Sequence, residues 1–354
     1  MRIALVAPLY EAVPPVLYGG TERVVSFLSE ALVGLGHHVT LFASGDTQTS
    51  AELVAVRDRA IRLDPVTLKS DMAAHLTMLH EVRRRAQEFD LLHFHIDLLH
   101  FPMFENKAEH TLTTLHGRLD LNDLPGIYRR WSAFPLVSIS HAQRRPMPWA
   151  HWVSTIHHGV PIDRFTFSAQ AAAPSYVAFV GRISPEKRPD RAIRIAEQAR
   201  IPLKIAAKVD AVDAEYFHER IARMIEAPQT EFIGEVADGD KDALLGGALA
   251  LLFPIDWPEP FGLVMIEAMA CGTPVIAWDS GSVREVVDDG VTGFVVNSIG
   301  GAVDALHRVE TLDRRRIRRV FEERFCATTM ARNYCATYRR LIDRRARRPA
   351  LLAS

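Results

Sequence analysis

Cysteine is scarce. Cys271, Cys326 and Cys335 are the only three in 354 residues. They are neither paired in sequence nor spaced as metal ligands, so neither a disulfide framework nor a zinc site organises this chain. A reducing, cytoplasmic setting is expected. Charge of one sign is also missing: 42 Lys and Arg face 43 Asp and Glu, a net charge of −1, which removes the global case for a nucleic-acid partner. No apolar run reaches the roughly 18 residues that crossing a bilayer requires. The opening "MRIALVAPLYEAVPP" has a short apolar run, stopped by prolines and Glu11, with no cleavage pattern; it reads as a first strand, not a signal peptide. Two motifs are absent as well. No G-x-G-x-x-G follows an expected strand, which weighs against a nicotinamide enzyme. No D-x-D pair sits at a strand end to hold a divalent metal.

What is present is an alternation. "RIALVAP" reads as a buried strand, and a helix from Thr21 follows with Val24, Val25, Leu28 and Leu32 on one face. Then come "HVTLFAS", "DLLHFH", "TLTTLHG", "LVSIS" and "VSTIHHGV", several separated by helical segments such as Met72 to Glu88. This is the rhythm of a parallel sheet covered by helices. After the small and polar "FSAQAAAPSYV" the pattern restarts with "YVAFVG", "PLKIAAK", "TEFIGE", "ALALLFP", "TPVIAW" and "GFVVN". The length exceeds one ordinary core. Two consecutive α/β domains are expected, residues 1–165 and 166–330, with 331–354 as a terminal helix and basic tail. Ligands of such sheets bind at the carboxyl ends of the strands, and two sheets in tandem can face each other across a cleft.

Several stretches fall at those strand ends. "VGRISPEKRPDRAI" sets Gly181, Arg182 and Lys187 between a strand and a helix. Two cations there suit a diphosphate, helped by helix N-terminal amides; the same segment alone equally suits a solvated, charged loop. Lys187 reads as a loop cation with little bearing on folding. "LYGGTERVV" is a Gly-Gly turn opening a helix, and the amides around Gly20 can approach an anion; Gly-Gly also makes ordinary turns. "TLHGRLD" puts His116 at a strand end, able to bond a hydroxyl or phosphate oxygen or merely to cap a loop. "HFHIDLLH" offers His93, His95, Asp97 and His100, which looks metallic. However, His93 and His95 share a strand face, Asp97 falls beyond the strand, and no second cluster completes a site. In "DWPEPFGLVMIEAMACGTPV" Glu259 and Glu267 frame an apolar segment. Pro258 and Pro260 extend the loop, Gly262 permits a tight approach, and a helix begins at Leu263. Vicinal hydroxyls of a sugar or ribose are natural carboxylate partners. The amides of Gly262 and Leu263 offer a site for phosphate or developing charge. Helix capping would account for Glu259 but not for Glu267.

With these motifs in their order and separation, the sequence resembles retaining glycosyltransferases of family GT4 (glycosyltransferase group 1) over nearly its whole length. The most specific element is E-x7-E, Glu259 to Glu267 within "PEPFGLVMIEAMACGTPVIA"; "GRISPEK", "HHGVPIDRF", "GSVREVVDDGVTGFVV" and "GGTERVV" accompany it. The resemblance implies a GT-B fold: two Rossmann-like parallel-sheet domains facing across an interdomain cleft, the first for the acceptor and the second for the nucleotide-sugar donor. It implies that Arg182 and Lys187 hold the donor diphosphate, that Glu267 binds the ribose, and that Glu259 contacts the transferred sugar. Gly181, Gly262 and Leu263 would border the donor. His116 would contact the sugar from the first domain. Gly20 would approach the donor phosphates or the acceptor, and the terminal helix would cross back to the first domain. It also favours reading "HFHIDLLH" as a strand end, with His95 on the acceptor side. Two departures stand out. His158 replaces the usual Asn before Gly-Val, which should alter the hinge loop more than the chemistry. Gly281-Ser282 replaces a usual Gly-Gly and bears on the wall near the donor.

The expected activity is hexose transfer, with retention, from a nucleotide diphosphate sugar (UDP favoured, GDP the second candidate) to an acceptor hydroxyl on a saccharide, lipid carrier or small molecule. No metal or other cofactor is expected. A sugar-nucleotide epimerase or hydrolase on the same fold, or a non-catalytic nucleotide-sugar binder, are the competing readings. Finally, residues 310–354 hold 13 arginines against five acidic residues. Such a region allows peripheral contact with the anionic inner face of a membrane, or is a solvated helix whose arginines satisfy local carboxylates and carbonyls.

Overall fold

The structure, a computed structural model, describes residues 1–16, 19–236 and 238–352. The chain divides into two compact units: Met1–Gly159 with Ala327–Ser354, and Val160–Cys326. The changeovers fall at 159/160 and 326/327, where the sequence reading puts them at 165/166 and 330/331.

In the first unit β1 (Arg2–Val6), β2 (His38–Ala43), β3 (Glu52–Ala55), β4 (Leu91–Phe94), β5 (Thr111–Thr114), β6 (Leu136–Ser138) and β7 (Trp152–Thr155) form one sheet in the order β3-β2-β1-β4-β5-β6-β7. Every pairing is parallel. β1 and β4 have no exposed side on the sheet, which is why they read as unbroken apolar runs. The helix Gly20–Gly34 buries Val24, Val25, Leu28 and Leu32, the face expected from its periodicity. Strand β3 lies at the edge with no fully buried residue, so no apolar run announced it. The core beneath the sheet is aromatic, with Phe42, Phe94, Phe101, Phe104 and Phe134 buried together.

The second unit holds β8 (Val177–Arg182), β9 (Leu203–Lys208), β10 (Thr230–Gly234), β11 (Ala250–Phe253), β12 (Val275–Trp278) and β13 (Gly293–Val296), in the order β10-β9-β8-β11-β12-β13. This sheet too is wholly parallel. Its core is aliphatic: Val177, Ile193, Ile205, Leu252 and Ile276 pack between sheet and helices. In each unit the strand order reverses once, between β1 and β4 and between β8 and β11. Loops leave the sheet in opposite directions there and open a crevice at the carboxyl edge.

After the second unit the chain returns to the first. The helix Ala327–Leu352 buries Tyr334 and Tyr338 completely. The Tyr338 hydroxyl lies 2.8 Å from His93 Nδ1, the other His93 nitrogen lies 2.8 Å from Thr114 Oγ1, and Thr114 Oγ1 lies 2.9 Å from the Tyr334 hydroxyl. His93 is therefore a satisfied buried residue, both ring nitrogens bonded, that ties the terminal helix to β4 and β5. Burial holds it neutral, far below the usual imidazole range.

Candidate functional site

The crevice of the second unit collects the charged residues singled out in the sequence. Strand β8 ends in Gly181 and Arg182, and a loop carries Glu186, Lys187 and Arg188 to the helix Pro189–Ala199. Arg182 donates to Glu186 at 2.6 Å, and Asp210 and Asp213 lie 3.6 and 3.7 Å from it. Across the crevice, β11 runs into the Pro-rich loop and then the helix Leu263–Ala270. Glu259 is 7% exposed and Glu267 4%. Each has a lysine: the Lys187 ammonium contacts Glu259 Oε2 directly, and Lys241 Nζ lies 2.7 Å from Glu267 Oε1. Trp257 Nε1 donates to the same Glu259 oxygen at 3.1 Å, and its ring lies 4.9 Å from the Lys187 ammonium. Burial without a partner would be costly for either carboxylate, and these lysines remove that cost. Lys187 is thus more than a solvated loop cation, a correction to its expected indifference to folding.

Backbone geometry fixes the two glutamates. Gly262, the residue before the helix, has φ +79°, and a Cβ there would stand 2.9 Å from Met265 Cε and 3.0 Å from Phe253 Cζ. Both conformation and space require glycine. Gly281 is more constrained still: φ is +58°, and a Cβ would come within 2.3 Å of the Glu259 backbone. Ser282 N donates to Glu259 O at 3.0 Å and Ser282 Oγ to Phe261 O at 2.8 Å. The departure Gly281-Ser282 is therefore a brace that clamps the glutamate loop from behind. The first amides of the helix Leu263–Ala270 have no intrahelical acceptor, so Gly262 and Leu263 present N–H groups beside Glu259.

The first unit has its own crevice, a cavity of about 660 Å3 lined by Gly19 and Gly20, His95 and Asp97 after β4, and His116 after β5. Leu17 and Tyr18, which open the stretch "LYGGTERVV", lie outside the described residues. A Cβ on Gly20 would meet nothing within 4 Å. His95 Nδ1 lies 2.8 Å from His116 Nε2. Burial pushes His116 down to about 3 and His95 far below the usual range, so both are neutral at physiological pH. One proton lies in their shared bond, so the outer nitrogens, His95 Nε2 and His116 Nδ1, must present one donor and one acceptor. Neither has a partner among the described residues. His158 stacks on His116, with ring centroids 5.2 Å apart and planes inclined by 19°. The substitution read as a hinge change therefore backs the histidine pair. His100 is elsewhere, stacked on Phe94 and bonded to Thr113. Among the described residues no group of three or more His, Cys, Asp or Glu could hold a metal ion.

Comparison with known proteins follows this division. Residues 18–164 match the model described as Glycosyltransferase Family 4, and residues 164–319 match Glycosyl transferases group 1. The chain belongs to glycosyltransferase family 4, group 1. Glycogen synthase of Mycobacterium tuberculosis is 28% identical across 96% of this chain and 95% of its own. Among solved structures, AviGT4, a glycosyltransferase of avilamycin A biosynthesis, superposes with TM-score 0.72 at 24% identity, covering 97% of this chain and 98% of that one. Anabaena HepE, in complex with UDP and glucose, gives 0.69 at 18% identity over 95% of this chain and 99% of its own. The fold is GT-B, and the protein is a glycosyltransferase enzyme.

Within the second unit Lys187 meets Glu259 beside Gly262, Gly181 and Arg182 end strand β8, and Glu267 bonds Lys241 in the helix begun by Leu263; within the first, Gly20, His95 and His116 line one cavity. Lys241 and Asp97 were not singled out for this site. Lys241 follows the acidic "DGD" and meets Glu267 26 residues away, a contact without local signal. Asp97 was seen only as a weak metal candidate. Its signal was its place, two residues after His95 and past the strand end.

Proposed function

We propose that the protein is a metal-independent, retaining hexosyltransferase whose donor is a UDP-sugar, with a GDP-sugar as the second candidate. The observation that carries this reading is the contact of Lys187 with Glu259 beside the open amides of Gly262 and Leu263. A phosphate-binding cation and a hydroxyl-binding carboxylate meet at one point. That is what the junction of a sugar with a diphosphate demands. The binding of UDP and glucose by the HepE structure supports the same choice.

In the proposed reaction the bond from the anomeric carbon to the terminal phosphate oxygen breaks, and its electron pair goes to the diphosphate. The acceptor oxygen bonds to that carbon on the same face and passes its proton to the leaving phosphate oxygen. Arg182, Lys187 and the helix amides stabilise the charge that builds on the diphosphate. Glu267 holds the ribose hydroxyls and Glu259 the hexose hydroxyls. The neutral His95–His116 pair offers a donor and an acceptor to a hydroxyl. No side chain serves as general base. The proposed place of action is the cytoplasm, with the arginine face of the terminal helix against an anionic membrane surface.

The test is product formation from UDP- and GDP-hexoses in the presence of chelator, with and without acceptor mixtures. Transfer with retained configuration and undiminished by chelator supports the reading. Activity lost to chelator and restored by a divalent ion, or an inverted product, would overturn it.

A further inference from the structure

The cavity of the first unit has an uneven charge balance. Two cations line it, and each has a carboxylate: Arg62 bonds Glu11 at 3.1 Å, and Arg118 bonds Asp120 through two nitrogens at 2.7 Å each. Two anions also line it, Glu22 and Asp97. Among the described residues neither forms an ion pair, and Asp97 has no side-chain hydrogen bond at all. Asp97 is exposed to solvent where it lines the cavity, and the protein packed around it raises its carboxyl to about 6. Burial raises Glu22 as well.

Asp97 is also held there at a conformational cost. Its φ is +50°, in the left-handed region that non-glycine residues seldom occupy. The following turn anchors it, with Leu99 N donating to Ile96 O at 3.3 Å and Phe101 N to Leu98 O at 3.1 Å. An independent feature points to a ligand in the same cavity. His95 is 2% exposed, lines the cavity, and its Nε2 has no partner among the described residues. A buried ring nitrogen is costly to leave unbonded. One wall of the cavity is apolar, formed by Leu98, Leu119 and Tyr128.

We propose that this cavity takes the acceptor as an uncharged or amine-bearing polyol, with Asp97 accepting hydrogen bonds from its hydroxyls or its ammonium group, and that it rejects phosphorylated acceptors. This rests on the reading of the protein as a transferase with its acceptor in the first unit, and names the acceptor class. An ionised Asp97 accepts two or more hydroxyl bonds with no competing partner. The adjacent imidazoles add one donor and one acceptor, so a diol or triol edge is matched group for group. The apolar wall covers the C–H face of a ring. A phosphate ester would bring its dianion against two unneutralised carboxylates, and like charges at close range exclude a ligand.

The test uses the full chain at pH 7.5 with three probes: glucose, glucosamine and glucose 6-phosphate. Titrations are followed through the imidazole NMR signals of His95 and His116. These report occupancy of this cavity, whether or not a nucleotide binds the second unit; UDP binding is measured separately and tests the donor reading by itself. Glucosamine is expected to bind several-fold more tightly than glucose, and glucose 6-phosphate at least tenfold more weakly. Asp97→Asn should erase the glucosamine preference and shrink the handicap of the phosphate ester. The proposal is overturned if the phosphate ester shifts these signals as readily as glucose. It is overturned equally if Asp97→Asn leaves the order unchanged, or if none of the three probes perturbs either imidazole up to its solubility limit.

Discussion

At the scale of single residues, the two glutamates show how far chemistry could be read from sequence. Their depth was legible, because a carboxylate in an apolar segment needs a partner. Which partner was not, since Lys187 and Lys241 come from elements 72 and 26 residues away. Two predictions separate their roles. Lys187→Ala should lower transfer strongly and also cost roughly 1–3 kcal/mol of stability in urea denaturation, because Glu259 is left buried without its cation. Adding Glu259→Gln should return part of that stability but none of the activity. A Lys187→Ala protein as stable as the parent would show that the ion pair contributes nothing to the fold. In calorimetry, Glu267→Gln should weaken UDP and UDP-sugar alike, whereas Glu259→Gln should weaken mainly the intact sugar nucleotide. Equal loss for both ligands in Glu259→Gln would refute this division. Gly20 provides a third case. Nothing in the protein crowds a Cβ there, and the residue begins a helix. Gly20→Ala should therefore leave stability unchanged or raise it by up to about 1 kcal/mol, while transfer falls because the ligand loses its close approach. Full activity in Gly20→Ala would remove that glycine from the site.

At the scale of elements, buried strands were the most legible feature, because strands covered on both faces are written as apolar runs. Edge strand β3 was invisible for the converse reason. The arginine-rich region was legible as composition but misleading as one patch. Arg314 and Arg318 belong to the helix Arg314–Arg324 of the second unit, where they donate to carbonyls of Ser168, Gly246, Ala248, Phe165 and Ala270; Arg324 pairs with Asp288. Arg314, Arg318 and Arg324 are satisfied structural cations, whereas Arg315, Arg316 and Arg319 of "RRRIRR" are exposed. The half on the terminal helix differs. Arg340, Arg344, Arg345 and Arg347 line a groove of about 1110 Å3 with Trp149 and Trp152, and Trp149 is 41% exposed. Pro135 and His151, which enter β6 and β7, also line it, so it lies at the amino edge of the sheet, opposite the histidine pair. Subtracting Glu109 and Asp343 leaves a net charge of two. At roughly 1 kcal/mol per basic residue near an anionic surface, this predicts about thirty-fold tighter binding to anionic than to neutral vesicles. Co-sedimentation is the measurement. High salt, or Arg340→Glu with Arg344→Glu, should abolish binding without affecting transfer to a water-soluble acceptor. Equal partition to both vesicle types would show that the groove has no such role.

At the scale of the whole molecule, the chain is not built as two beads on a string. The first unit is assembled from both ends of the sequence, residues 1–159 and 327–354, while the second is continuous. The terminal helix supplies the first unit with Tyr334 and Tyr338, both fully buried, together with Met330 and Ala331. Its hydroxyls also satisfy His93 and Thr114 beneath the sheet. A chain ending at Cys326 would lose all of this at once. Uncovering two tyrosines and their neighbours costs several kcal/mol, at roughly 25 cal/mol per Å2 of apolar surface. Leaving His93 and Thr114 buried without partners adds roughly 1–3 kcal/mol each. Against a typical domain stability of about 5–15 kcal/mol, this is enough to unfold the first unit. The second unit gives up no side chain of its own, since the cut falls at its boundary. The full chain should therefore unfold in urea with contributions from both units, and UDP should raise the midpoint of the one that carries Lys187 and Glu267. The shortened chain should retain a single cooperative transition that UDP still shifts upward, and should lose the fluorescence change of Trp131, Trp149 and Trp152. If instead it keeps both contributions, the terminal helix is an accessory and not part of the first core. If it keeps neither, the second unit depends on the first for its own stability.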